Sequence, residues 1–282
     1  MKTKTHIQLS EINQPITIIR QNEEYFMRVD HEQLYFKIPE LTYEILINWY
    51  NNESISNISK FICQRTNESV DEQHVEHMYE HVINHIKDRI AKSQSQKKRF
   101  WCCLPIVPEK LVILLGNYLS ACFYPPVSLV LVSFIVAMQT NFLFLIHHQS
   151  IANTDVIWTG MLFIISAVFH EIGHASACQR FNIYSSEIGL TVHYMIPYFY
   201  CSTNGLSLLK KHERMVVDIA GIYFQLIVAS IYCGLFHVTH WQPLISAVSM
   251  ILFCCLICML PLFKTDGYWF FNDCFANSKD GE

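Results

Sequence analysis

The chain has 282 residues, of which 51% are hydrophobic and 16% are charged, and its formal net charge at pH 7 is −4. Soluble domains average about 25% charged residues, so this composition excludes an ordinary water-soluble globular protein. The acidic balance also disfavours a nucleic-acid-binding protein, which normally has a basic face. The eleven cysteines are odd in number and most lie in apolar runs, which does not indicate a secreted disulfide framework.

The first 95 residues carry 10 Lys and Arg against 14 Asp and Glu and have the composition of a soluble domain. We predict three strands, at 15–20, 24–29 and 33–38. Apolar residues at helical spacing then predict three helices, one after Pro39, one from about Ser54 and one around 75–86. This is the element order of a winged helix. We therefore assign residues 1–92 to a cytoplasmic, winged-helix-like α+β domain.

Two features of this domain have alternative interpretations. A winged helix often binds DNA, but the acidic balance predicts no nucleic-acid partner. The third helix carries a stripe of four histidines, His74, His77, His81 and His85. The stripe is either a metal site or the polar flank of an amphipathic helix, and the second interpretation is favoured.

A polar, basic stretch around Lys97 predicts a linker at 93–104 that leads to the membrane surface, followed by a membrane core at 105–282. The apolar stretch 111–124 is too short to cross about 30 Å of hydrocarbon, so we expect it to lie in the interface or to re-enter. Four spans are predicted, at about 126–146, 155–177, 215–236 and 244–263. The predicted fold class is mostly α, a polytopic helical membrane protein with an α+β N-terminal domain.

The distribution of basic residues predicts the orientation in the membrane. The loops at 147–155 and 237–243 contain no Lys or Arg, whereas basic residues cluster near the other ends of the spans. The N-terminal residues lack the apolar stretch of a signal peptide. We therefore expect a multi-pass protein of the plasma membrane with both termini in the cytoplasm and the lipid bilayer as a partner.

The second predicted span contains an H-E-x-x-H motif, His170-Glu171-Ile172-Gly173-His174. Residues four apart share one face of a helix, so His170 and His174 can bind one metal ion while Glu171 points at a water bound to it. A coincidental polar turn is the alternative, but polar groups at membrane depth are costly unless function requires them. The motif predicts an intramembrane zinc protease.

A catalytic zinc site needs a third protein ligand and an open position for water. The carboxylates near membrane depth are Glu187, Asp218 and Asp266. Asp218 is expected in the first turn of a span, where the helix N-terminus alone explains its charge. Glu187 lies in an irregular segment. Asp266 precedes Gly267, which lets the backbone turn and aim the carboxylate inward.

At these residues the chain resembles the site-2 protease family of intramembrane zinc metalloproteases, which pairs H-E-x-x-H with an Asp-Gly motif at the end of a later membrane helix. Pro261 and the Asp266-Gly267 pair match the second motif, and Gly221 lies where the family has an Ala-Gly step. The resemblance covers about residues 105–275. It implies that Asp266 joins the two histidines as a Zn²⁺ ligand and that Glu171 is the catalytic base.

One position departs from the family pattern. The family usually has an Asn three residues before the proline, often assigned to holding the substrate, and this chain has Cys258 there. Asn204, Gln225 and Gly267 are the candidate substrate-binding residues instead. Cys258 also completes a formal C-x-x-C with Cys255. That pair is either redox or metal chemistry, or core filler in a membrane helix, and filler is favoured.

The N-terminal domain resembles a RiPP recognition element, the leader-binding winged helix of peptide-modification enzymes, in the stretches 25–30, 34–36 and 42–46. Fused to such a protease, it resembles the peptide zinc metalloproteases of bacterial epipeptide and other RiPP operons. The resemblance implies a short precursor peptide, bound partly by residues 1–92 through strand addition and cleaved for maturation or export. An export transporter is a further candidate partner.

Two other functions remain as alternatives. One is a non-catalytic membrane immunity or metal-handling protein that retains the zinc site, although such a protein could dispense with Glu171. The other is a membrane-tethered transcription regulator, which the acidic N-terminal domain disfavours.

Overall fold

The structure is a computed structural model. It describes residues 3–7, 12, 15–21, 24–29, 34–51, 53–66, 69–98, 103–148, 155–183, 185–193, 196–201, 203, 205–261 and 264–275. The chain divides into two compact units, Met1–Trp101 and Cys102–Glu282, which are called the N-terminal unit and the membrane unit below.

The N-terminal unit contains an antiparallel sheet followed by three helices. Its strands are β1 (Thr3–Ile7), β2 (Ile16–Gln21), β3 (Glu24–Val29) and β4 (Leu34–Ile38), in the order β1-β2-β3-β4. Its helices are α1 (Glu40–Tyr50), α2 (Ile55–Thr66) and α3 (Glu72–Lys98). The inward faces of the sheet and helices bury one apolar core, which includes Ile18, Met27, Leu46, Ile62 and Ile86. This burial removes the apolar face of each element from water.

The N-terminal unit differs from the sequence prediction in two places. The sheet has a fourth strand, β1, which pairs with β2 so that Thr5 lies opposite Ile18. Its residues are mostly polar, and hydrophobic alternation therefore gave little signal. Helix α3 continues to Lys98, so the first part of the predicted linker 93–104 is helical. No Gly or Pro interrupts that stretch, and its Ala, Gln and Lys residues favour a helix.

The membrane unit combines helices with a small sheet. Its elements in chain order are β5 (Cys103–Val107), α4 (Glu109–Leu119), α5 (Pro125–His148), α6 (Val156–Arg180), β6 (Ile188–His193), β7 (Ile196–Cys201), α7 (Lys211–Thr239), α8 (Gln242–Met259) and α9 (Asp266–Phe275). Short 3-10 turns follow α4 and precede α7.

Four of these helices, α5 to α8, are long and apolar enough to cross a membrane, as the sequence predicted. Helix α7 is the most buried of the four and packs against α5, α6 and α8. Helix α5 instead exposes large apolar residues such as Leu129 and Phe144, each 67–69% accessible without lipid. Large apolar side chains that face outward, as on α5, are typical of a protein surrounded by lipid.

The sheet of the membrane unit was not predicted. Strands β5, β6 and β7 form an antiparallel sheet in that order, within segments expected to be a linker and an irregular connection. The β-branched and aromatic residues of Ile188–His193 and Ile196–Cys201 carried a strand signal. Helix α4 has 11 residues, too few to span the hydrocarbon, and it packs against α6.

Candidate metal centre

Helix α6 places the two histidines of the motif on one face. Asp155 is the N-cap of the helix, and its carboxylate accepts hydrogen bonds from the backbone N–H groups of Ile157 and Trp158. The helix then continues without interruption through the motif. His170 and His174 are one turn apart, and their Nε2 atoms are separated by 3.1 Å.

Asp266, the first residue of α9, completes the group. One carboxylate oxygen lies 2.9 Å from Nε2 of His170, and the other lies 3.5 Å from Nε2 of His174. The three side chains are 12–23% exposed. Among the described residues they are the one group of three or more His, Cys, Asp and Glu side chains whose ligand atoms all lie within 4.8 Å of one another.

The backbone after α8 folds back to bring Asp266 to the histidines. The hydroxyl of Thr265 donates a hydrogen bond to the carbonyl oxygen of Cys258, at 2.9 Å. Gly267 is buried, and a Cβ at this position would collide with the carbonyl groups of Cys258 and Met259. The glycine therefore permits the close approach that aims Asp266 inward.

Hydrogen bonds on the far side of each imidazole orient the rings. Nδ1 of His174 lies 2.8 Å from the carbonyl oxygen of Val217, and Nδ1 of His170 lies 3.1 Å from Oε1 of Gln225. Because both partners are oxygen acceptors, Nδ1 is the protonated nitrogen in each neutral imidazole. Each Nε2 then directs a lone pair toward the other ring and toward the carboxylate.

This arrangement requires a positive species at its centre, either protons or a cation. Burial opposes ionisation of Asp266, but pairing with His170 and His174, when these carry a proton on Nε2, outweighs burial and lowers the pKa of Asp266 below its ordinary value. A bound cation in place of those protons would likewise keep the carboxylate charged. Two imidazole nitrogens and one carboxylate are a donor set that fits Zn²⁺ with a further position open for water.

Gly221 on α7 faces the same point. A Cβ there would lie 2.5 Å from Nε2 of both His170 and His174. Gly173 on α6 packs against the backbone of Ala220 in a similarly close contact. The small residues thus bring α6 and α7 together and leave space in front of the two nitrogens.

Glu171 lies beside this group. Its carboxylate accepts a hydrogen bond from the backbone N–H of Cys201, the last residue of β7, and it interacts electrostatically with both histidines and Asp266. The carboxylate thus lies near His170, His174 and Asp266 without belonging to the converging set. That is the placement expected of a general base.

The other predicted site residues have different positions. Gln225 is buried and contacts His170, so its visible role is to orient a histidine, and its substrate role stays a prediction. Gly267 supports the turn at Asp266. Asn204 lies outside the described residues. Glu187 is exposed and outside the converging group. Asp218 lies two turns into α7, which corrects the expectation that it belongs to the first turn.

The sequence did not predict an ion pair that joins α7 and α9. Arg214 at the start of α7 donates hydrogen bonds to both carboxylate oxygens of Asp273 on α9, at 2.8 and 3.0 Å, and to the carbonyl oxygen of Leu209. This bidentate pair holds α9, and with it Asp266, against α7. Nothing in the sequence marks the pair, because its members are 59 residues apart.

Comparison with known proteins gives one relative. The chain is 23% identical over 108 residues to a protein of Bacillus subtilis (strain 168) named "Putative peptide zinc metalloprotease protein YydH". The match covers 38% of this chain and 43% of that protein, so the chain spans less than half of its relative. No family profile and no solved structure matches the chain. The likeness supports a relationship to zinc metalloproteases.

Proposed function

We propose that the chain is a membrane-embedded zinc metallopeptidase. The convergence of His170, His174 and Asp266 on one point, with the Glu171 carboxylate beside them, is the observation that carries the proposal. Zn²⁺ held by these three residues would supply a water of lowered pKa and would polarise a peptide carbonyl. Glu171 takes the proton from the attacking water and delivers it to the leaving amine.

The surroundings of Glu171 support an extended substrate. Strand β7 lies at one end of the order β5-β6-β7 and finishes at Cys201, whose N–H holds the Glu171 carboxylate. A peptide paired with β7 would pass its backbone next to Glu171. A helical substrate must unwind first, because its internal hydrogen bonds occlude the scissile carbonyl.

The substrate class that we propose is a short, ribosomally made precursor peptide, cleaved for maturation or export. The name of the relative refers to a peptide. The N-terminal unit also offers a cleft of about 170 Å³ beside β4, which lies at one end of its sheet. The cleft includes Lys37 and Ile38 of β4 and His85 and Ile86 of α3. An added peptide strand could place an apolar side chain there.

Peptide capture by the N-terminal unit can be tested without knowing the natural substrate. We would select binders to the full chain in detergent from a random peptide display library and compare two variants. His85→Trp fills the cleft and should abolish binding of the selected peptides, whereas His74→Trp changes an exposed residue of the same helix outside the cleft. Equal binding by both variants would refute capture at this cleft.

The zinc content of the purified protein tests the proposed function. We expect about one zinc per chain, lost in His170→Ala and in Asp266→Ala but kept in Glu171→Gln and in the control His74→Ala. Cleavage of a quenched-fluorescence peptide pool should fall about 10²–10⁴-fold in Glu171→Gln. Zinc binding with cleavage that does not depend on Glu171 would contradict the peptidase mechanism. Zinc binding with no cleavage by the wild type would favour the alternative, a non-catalytic immunity or metal-handling protein.

Orientation in the plasma membrane is part of the proposal. The loops after α5 and α7 lack Lys and Arg, so both termini are placed in the cytoplasm. A fluorescent reporter that matures only in the cytoplasm should be bright when fused after Glu282, and a periplasmic phosphatase fused there should be inactive. The reverse pattern would invert the topology. We also expect no salt-dependent DNA binding, because residues 1–95 carry 10 Lys and Arg against 14 Asp and Glu.

A further inference from the structure

The last two turns of α8 carry a pair of facing thiols. The Sγ atoms of Cys254 and Cys258 lie 4.0 Å apart, and both side chains are partly accessible. Cys255, between them in sequence, is buried and points to α7, where its thiol donates a hydrogen bond to Oε1 of Gln225 at 3.5 Å. The two facing thiols are therefore one helical turn apart, and Cys255, the first cysteine of the formal C-x-x-C, is not part of the pair.

The distance between the two thiols suits a bound thiophilic ion. A tetrahedral ion with metal–sulfur bonds of about 2.3 Å holds its sulfur ligands about 3.8 Å apart. A cysteine that serves only as core filler is expected to be buried among apolar side chains, as Cys233 is on α7. Cys254 and Cys258 differ from it because they are only partly buried and face each other, although Cys258 also packs against the edge of the same cluster.

The charge environment also favours a cation. Both cysteines lie near the carbonyl end of α8, where the helix dipole is negative. Cys254 and Cys258 both interact electrostatically with Asp266, and Cys254 also interacts with His170, so the thiol pair is a neighbour of the first candidate site. A dithiolate would add further negative charge here, which a bound cation would neutralise.

We propose that Cys254 and Cys258 form a second metal site, a dithiol that takes a thiophilic divalent ion such as Zn²⁺ or Cd²⁺ and is distinct from the His170, His174 and Asp266 group. On binding, two S–H bonds break, two metal–sulfur bonds form, and two protons pass to solvent. No oxidant or reductant takes part. The site does not depend on peptidase activity.

Cadmium is the probe for this site, because cadmium–thiolate bonds absorb in the ultraviolet. The reduced full-length protein in detergent, freed of reductant without oxygen, is titrated with Cd²⁺. We expect a charge-transfer band that is strongly reduced in Cys254→Ser and in Cys258→Ser. The matched control Cys255→Ser changes a neighbouring cysteine of the same helix and should keep the band. His170→Ala should also keep it, which separates this site from the first.

Three outcomes would overturn the second site. The first is a band of unchanged strength in Cys254→Ser and Cys258→Ser. The second is a band lost in Cys255→Ser but not in Cys254→Ser, which would assign the metal to the C-x-x-C pair. The third is a band lost in His170→Ala. Proton release gives a check that does not rely on variants, since the wild type should release about two protons per bound ion at this site.

Discussion

The two halves of the candidate metal centre are held in different ways. His170 and His174 belong to one uninterrupted helix, α6, whose own hydrogen bonds fix their spacing. Asp266 reaches the same point through tertiary contacts, namely the Thr265 hydrogen bond, the close packing of Gly267 and the Arg214–Asp273 pair. The histidine half is thus set locally, whereas the aspartate half depends on how α8 and α9 pack.

This difference predicts two kinds of response to mutation. A change that alters the space in front of the histidines should remove the metal, because α6 cannot adjust its spacing. A change in the contacts that hold Asp266 should weaken metal binding by degrees, because α9 can shift. The four predictions below test this contrast, from the largest expected effect to the smallest.

Gly221→Ala should have the largest effect. The added Cβ would lie 2.5 Å from Nε2 of both histidines, well inside van der Waals contact, so it would displace the imidazoles. We expect zinc content to fall to background while the helical circular dichroism of the protein is kept. Gly234→Ala is the control on the same helix, because a Cβ there meets nothing within 4 Å. Zinc retained by Gly221→Ala would show that the space in front of the histidines is not the metal position.

Gly267→Ala should weaken the aspartate half. A Cβ at this position collides with the carbonyl groups of Cys258 and Met259, so the start of α9 must move and carry the Asp266 carboxylate with it. We expect zinc affinity, measured by competition with a chelator, to fall about 100-fold without complete loss. Gly160→Ala on α6 is a suitable control, since a Cβ there is unhindered. Wild-type affinity in Gly267→Ala would contradict the fold-back as the means of positioning Asp266.

Gln225→Leu tests the support of the histidine half from α7. The substitution keeps the approximate volume but removes the oxygen that accepts the hydrogen bond from Nδ1 of His170, at 3.1 Å. The ring then loses its fixed tautomer and orientation, and zinc affinity should fall about 10-fold. Gln225→Glu, which keeps an acceptor, should retain tight binding. If leucine and glutamate bind zinc equally well, Gln225 does not orient the ring.

The sequence was sufficient for the parts of the molecule that follow from local pattern. Long apolar runs predicted the four spans, and four-residue spacing placed His170 and His174 on one face. Membrane depth and the following Gly267 made Asp266 one of three candidate carboxylates, and the family resemblance then implied that it is the third member. The polar strand β1 and the sheet β5-β6-β7 were missed, because pairing between distant segments leaves little trace in local hydropathy.

Contacts between helices could not be predicted from the sequence either, because they also depend on how distant segments pack. Whether Gln225 faces a substrate or a histidine depends on the rotation of α7 against α6, which no local pattern fixes. In the structure α6 and α7 pack closely at Gly173 and Ala220, and Oε1 of Gln225 lies against His170. Cys255 likewise contacts α7, whereas Cys254 and Cys258 face each other because they are four residues apart on one helix, which the sequence spacing could have shown.

The Arg214–Asp273 pair should give the smallest effect, and it isolates the aspartate half most directly. Arg214→Gln removes a bidentate contact that holds α9 on α7 but touches no proposed ligand. Because both side chains are partly accessible, the ion pair stabilises the contact of α9 with α7 by only about 0.2–1 kcal/mol, and zinc affinity should fall about two- to fivefold.

The double variant Arg214→Asp with Asp273→Arg restores opposite charges and should recover part of the loss, whereas Arg214→Asp alone should not. Arg180→Gln, which removes a cation at the end of α6 stacked on Tyr124, should leave zinc affinity unchanged. A loss in Arg214→Gln as large as that in Gly221→Ala would mean that α9 is as rigidly coupled to the metal as α6 is, and the contrast between the two halves would fail.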